Sequence, residues 1–196
     1  MSHSEFNAML ELLAMLVTDW RTGVLLLLLI GAAISDYRTH RIPNWLVLAG
    51  VLFGVIYNTV LPRFPHDTIL FPLAGLGFGL LMFLPLYLVR AMSAGDVKLL
   101  AMVGAFLGAS ATFRAALIIM IVGGVLSILF VLVRGTTALM FRNLASLFQL
   151  GILDTVGGTA PRLQIADGAS AGKLPYGVAI AIGTISYLVL HQLGYF

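Results

Sequence analysis

Long apolar runs separated by short polar breaks dominate this chain, and about 20 apolar residues suffice to cross the hydrocarbon core of a bilayer. Residues 22–36 (TGVLLLLLIGAAISD) form the core of a first span, with Trp20 and Tyr37 at interface positions. A second runs from about Trp45 to Leu61, just before Pro62, and a third from about Ile69 to Val89. Pro85 predicts a kink inside that third span. A fourth starts near Asp96 and ends near Ala109; the small-residue turn Gly108-Ala109-Ser110-Ala111 leads into a fifth at about 114–133. The sixth covers about 175–194. Two stretches have a helical period with polar residues on one side. In 138–150, Met140, Phe141, Leu144, Leu147 and Phe148 oppose Arg142, Asn143, Ser146 and Gln149; in 5–18, Phe6, Met9, Leu10, Leu13 and Val17 oppose Asn7, Glu11 and Thr18. Both predict helices lying in the membrane interface, the first within a 134–174 loop and the second within residues 1–20, where the alternative is an extension of the first span. Gly50/Gly54, Gly75/Gly79 and Gly104/Gly108 are spaced for close helix packing. The fold expected is all-α: a single polytopic membrane domain over 1–196, of about six transmembrane helices plus amphipathic interfacial helices.

Composition agrees. Of 196 residues, 60% are hydrophobic and 10% charged, against about 45–50% and 25% in ordinary soluble domains. Mean hydropathy is +1.05. A soluble fold of this size has no interior large enough for so much apolar surface. The net charge of +3 is what cytoplasmic membrane loops produce and is no sign of a nucleic-acid partner. There is no cysteine, which removes disulfides, thiolate catalysis and Cys-based zinc sites. Placing 37–44 in the cytoplasm puts Arg38, Arg41, Arg90, Lys98, Arg134, Arg142, Arg162 and Lys173 inside, and Arg21, Arg63 and Arg114 outside. The opposite orientation inverts this bias and is rejected.

The acids then sort by depth. Glu5, Glu11, Asp19 and Asp67 fall outside, and Asp154 and Asp167 in the long cytoplasmic loop. Asp36 ends the first span and Asp96 begins the fourth, so parity returns both to the cytoplasmic membrane edge. A charged Asp at mid-helix costs about 2.5–3.5 kcal/mol on insertion scales, and less near the interface. Two carboxylates brought together repel, and one keeps its proton. An ionised member then takes a proton from water while a protonated one polarises a carbonyl, as in an aspartyl protease, with neither metal nor cofactor. The plainer alternative is a pair of solvated helix-end residues, and a helix N-terminus favours Asp96 by its dipole alone.

Local sequence separates these readings. Asp36 lies in SDYRTHRIPNWL (35–46), Asp96 in MSAGDVKLLAMVGAFLG (92–108), and a third block, KLPYGVAIAIG, covers 173–183. Together they resemble the type IV prepilin peptidases, membrane aspartyl proteases of the Gly-x-Gly-Asp class. The family's Asp-x-Arg…Ile-Pro-Asn pattern is matched at Asp36, Arg38, Ile42, Pro43 and Asn44, its Gly-Asp-Val-Lys core at Gly95, Asp96, Val97 and Lys98, and its Pro-Tyr start of a late span at Pro175, Tyr176 and Gly177. The resemblance implies that Asp36 and Asp96 are the catalytic pair, supported by Gly95, Lys98, Arg38, Pro43, Asn44, Pro175 and Tyr176. It implies prepilin or pseudopilin substrates, cleaved at the cytoplasmic side of a bacterial inner membrane just before the hydrophobic pilin segment. One departure stands out: Ser93 replaces the motif's first glycine. With no cysteine and about seven residues between Asp36 and the second span, the zinc-binding insert of larger members is missing. The compact form looks like the peptidases of tight-adherence (Flp-type) pilus systems, and N-methyltransferase activity is not expected.

Smaller features keep two readings each. Lys98 either meets acidic groups near the site or snorkels to headgroups. Pro43 and Asn44 are expected to set the turn into the second span, with Asn44 as a helix cap. His40 is read as a solvated loop residue. Rival functions are a small proton- or cation-coupled transporter, and a non-enzymatic membrane subunit of a secretion assembly. The oligomeric state is left open.

Overall fold

The computed structural model describes residues 19–61, 69–89, 91–133 and 175–195. Among them the regular structure is entirely helical: α1 (Trp20–Thr39), α2 (Asn44–Val60), α3 (Leu70–Leu88), α4 (Ala94–Leu107), α5 (Ala109–Val133) and α6 (Tyr176–Gln192). The interfacial helices predicted at 5–18 and 138–150 and the 134–174 loop lie outside the described residues. Residues 124–133, the last turns of α5, belong to a second compact unit running from Gly124 to Leu174; all that follows concerns the first.

Six helices stand where six spans were predicted, but they are not equivalent. α1, α3 and α5 are long and apolar enough to cross a membrane, and α2 and α6 are apolar helices of 17 residues. The fourth expected span has the predicted length but is too short to cross: α4 has 14 residues, about 21 Å at 1.5 Å per residue, against a hydrocarbon core of about 30 Å. The reason is its surroundings. From Asp96 to Phe106 every residue except Lys98 is buried, and α4 packs against α1, α2, α3 and α6. A helix enclosed by protein need not match the bilayer. The turn after it is also tighter than expected. Gly108 alone, at φ 79°, breaks the chain, its N–H donating to the Gly104 carbonyl at 2.9 Å, and Ala109 to Ala111 are already helical.

The glycine pairs place the neighbours of α4. Gly75 of α3 and Gly104 of α4 meet backbone to backbone, so that a Cβ on either runs into the other's carbonyl. Gly79 lies over Leu100 and Ala101, Gly50 of α2 over Met102, and Gly54 over Ala105 and Phe106. Close approach without side chains gains dispersion contact, which is the main attraction left between helices in lipid. Leu25 and Leu29 of α1, Phe83 of α3 and Ile180 of α6 complete the apolar packing around Leu99, Leu100, Met102 and Val103.

The last turn of α4 is held by polar groups. Asn58 Nδ2 donates to the Ala105 carbonyl at 2.9 Å and to that of Gly54 at 2.8 Å. Its Oδ1 accepts from Arg21 Nη1 at 2.8 Å. Both Asn58 and Arg21 are buried, so the bonds are made where water does not compete. Helix-end carbonyls that lack an intrahelical partner are thereby satisfied. A polar cavity of about 190 Å³ lies beside this network, lined in part by Asp19, Arg21, Tyr187 and His191. Asp36 and Asp96 sit at the opposite ends of α1 and α4.

Candidate active site

Four helix ends converge around the two aspartates: the C-terminus of α1 and the N-termini of α2, α4 and α6. Asp36 is in the last turns of α1 and is 6% exposed. The helix stops just beyond it because His40 turns left-handed (φ 50°) and returns its N–H to the Asp36 carbonyl at 2.8 Å. The Asp36 side chain points across to α6, where Oδ2 accepts the Gly177 N–H at 2.6 Å. The first N–H groups of a helix have no intrahelical acceptor and carry the positive end of its dipole, so a carboxylate is well placed there. Only glycine fits at 177. A Cβ at that position would lie 2.9 Å from Asp36 Cβ and Oδ2.

Asp96 is in the first turn of α4 and is 4% exposed. Ser93 caps the helix, and the two form a reciprocal capping box. Asp96 Oδ2 accepts from the Ser93 N–H at 2.9 Å and from the Ser93 hydroxyl at 2.8 Å. The Asp96 N–H lies 3.4 Å from Ser93 Oγ. The other carboxylate oxygen, Oδ1, is buried and has no hydrogen-bond partner. Asp36 and Asp96, 60 residues apart in the chain, are close enough for their charges to interact.

The expected supporting residues fall into two groups. Lys98, exposed on α4, donates from Nζ to Asn44 Oδ1 at 3.2 Å, tying α4 to the start of α2. Asn44 therefore does not cap: the cap position of α2 is Pro43, and no side chain bonds there. Pro175 is the cap residue of α6 and so sets where the Gly177 amide emerges. Arg38 is exposed in the last turn of α1, with its charge at the favourable end of that helix. Tyr176 packs over Gly123 of α5. Gly95 has no conformational need for glycine, since a Cβ there meets Ile42 at an ordinary 3.4 Å. His40, although exposed, is within electrostatic reach of Asp36.

Three contributions are not evident in the sequence. The Gly177 contact is a backbone amide, which no residue letter announces, although the Pro-Tyr-Gly block marks its position. Ser93 reads as a lost glycine, yet its φ of −81° and ψ of 156° are ordinary extended backbone, and the Ser-x-x-Asp spacing was a usable capping signal. The Arg21–Asn58 clamp left no pattern. Among the described residues, no group of three or more His, Cys, Asp or Glu is placed to hold a metal.

Two buried carboxylates within each other's field, each fixed through one oxygen by N–H or O–H donors, are a constellation for proton transfer. No curated protein and no solved structure matches the chain. Residues 23–128, over half of its length and including both aspartates, match the family model described as the type IV leader peptidase family. With that match over more than half of its length and an all-helical membrane architecture, the chain belongs to the type IV leader peptidase family.

Proposed function

We propose that this peptidase is an aspartyl endopeptidase that removes the leader from type IV prepilins, of the Flp (tight-adherence) kind, at the cytoplasmic face of the bacterial inner membrane. The observation that carries this is that Asp36 and Asp96, both buried, lie within electrostatic reach of one another. One carboxylate, ionised, takes a proton from water as the water oxygen adds to the scissile carbonyl. The other, protonated, gives its proton to the carbonyl oxygen. Collapse of the tetrahedral adduct breaks the C–N bond, the leaving nitrogen takes up a proton, and the new carboxyl terminus departs. The pair titrates as a unit, so base and acid are roles of the dyad. The scissile segment has to be extended to expose its carbonyl, which is tolerated at membrane depth only in a protein-lined, wet site. The orientation rests on the excess of Lys and Arg on the 37–44 side; the compact Flp form rests on the absence of cysteine.

The test is to express a prepilin with the wild-type protein, with Asp36→Ala and with Asp96→Ala, and to follow leader removal by gel shift. Each variant, at wild-type membrane abundance, is expected to leave the precursor uncleaved. Full processing by either removes the paired-acid mechanism.

A further inference from the structure

We propose that Ser93 is a positioning residue for this reaction: it binds Asp96 through Oδ2 and so leaves Oδ1 as the reacting oxygen. The inference rests on the assignment of Asp36 and Asp96 as the acting pair and says how one of them is aimed. A capping box needs one contact in each direction, from the Asp96 N–H to Ser93 Oγ and from the Ser93 N–H to the carboxylate. Here there is a further one. The Ser93 hydroxyl also donates to the carboxylate, at 2.8 Å, and to the oxygen that already accepts the Ser93 amide. Two donors on one oxygen and none on the other fix the plane of the carboxylate about Cβ–Cγ, because any rotation short of a half-turn, which only exchanges equivalent oxygens, breaks both bonds. Oδ1 is left buried without a partner. Such a group is costly, more so if charged, and buried polar atoms are seldom left so. At 4% exposure solvent does not satisfy it, so its partner is a group that arrives: the water or the peptide carbonyl of the reaction.

Conformation does not demand either residue at position 93, since the backbone there is extended. A glycine, as in the family motif, keeps the amide contact and lacks the hydroxyl. Ser93 thus adds a charge-assisted bond that the motif does not require.

The experiment measures kcat and KM for leader cleavage by the full chain in proteoliposomes. The variants are Ser93→Ala, Ser93→Gly and Ser93→Thr, with activity expressed per folded molecule from size-exclusion chromatography. A hydrogen bond to a charged group is worth enough to change rates by about tenfold or more. Ser93→Ala and Ser93→Gly are expected to lower kcat by about tenfold at unchanged KM, and Ser93→Thr, which restores the hydroxyl, to recover most of the loss. The proposal is overturned if either hydroxyl-free variant keeps wild-type kcat per folded molecule, since Ser93 is then a helix cap alone. It is also overturned if Ser93→Thr is as slow as Ser93→Ala. Should Ser93→Ala fail to fold, Ser93→Gly decides by the same criterion. Asp96→Asn in the same assay keeps the two claims apart: if it cleaves like the wild type, the catalytic assignment fails, whatever Ser93 does.

Discussion

Asp36 is held by a backbone amide alone and Asp96 by a backbone amide together with a hydroxyl, and this difference decides which substitutions reach each acid. The Gly177 N–H is present whatever residue stands there, so a change at 177 acts through volume. In Gly177→Ala the new Cβ would lie 2.9 Å from Asp36 Cβ and Oδ2, closer than carbon atoms tolerate, and the carboxylate has to move. A displacement of about 1 Å in a catalytic group can cost on the order of 100-fold in rate. Gly177→Ala is therefore expected to lower kcat for leader cleavage by about that factor while the protein still inserts and stays monodisperse in detergent. Activity within a few-fold of wild type would show that the Asp36–Gly177 contact does not set the geometry. Both acids were legible in the sequence, because charge is scarce and each lies within a recognisable block. Their holders were not. An amide carries no letter, Ser93 looked like a defect, and Asn44 looked like a cap when it is the acceptor for Lys98.

At the scale of the element, α4 gathers most of the constraints. It begins in the Ser93–Asp96 box, ends on the Asn58 carbonyl bonds, and is pressed by glycines of α2 and α3 along its length. The Gly75–Gly104 crossing admits no side-chain atom on either strand of contact. Gly104→Ala should therefore push α3 and α4 apart, at a cost of about 1–3 kcal/mol for overpacking. Gly77→Ala, two residues on from Gly75 in α3 with open space around its Cβ, should be neutral or slightly stabilising, as alanine is the better helix former. Reversible unfolding in mixed micelles measures both. Equal stability of the two variants would mean that the crossing is looser than described. The helices themselves were legible from hydropathy, as was the packing role of the glycine pairs. The enclosure of α4 by its neighbours was not, because an apolar side chain reads the same whether lipid or protein covers it.

At the scale of the molecule, the alternation of the spans makes a prediction about sides. Cysteines introduced as Thr39→Cys and His66→Cys into this naturally cysteine-free chain should react with a membrane-impermeant maleimide from opposite faces of oriented vesicles. Reaction from the same face would break the topology on which the cytoplasmic placement of the site depends. The expectation comes from span parity and basic-residue bias, which survive errors of a few residues in any boundary. Sequence did not show that the site draws on both extremes of the described chain. Asp36 and the amide that receives it are 141 residues apart, and α6 is the last described helix to leave the ribosome. Both acids are thus inserted well before the group that steadies one of them. A chain halted before Pro175 has its two aspartates in the membrane and no assembled centre. Assembly of the centre therefore waits for α6, which follows every other described helix in the chain.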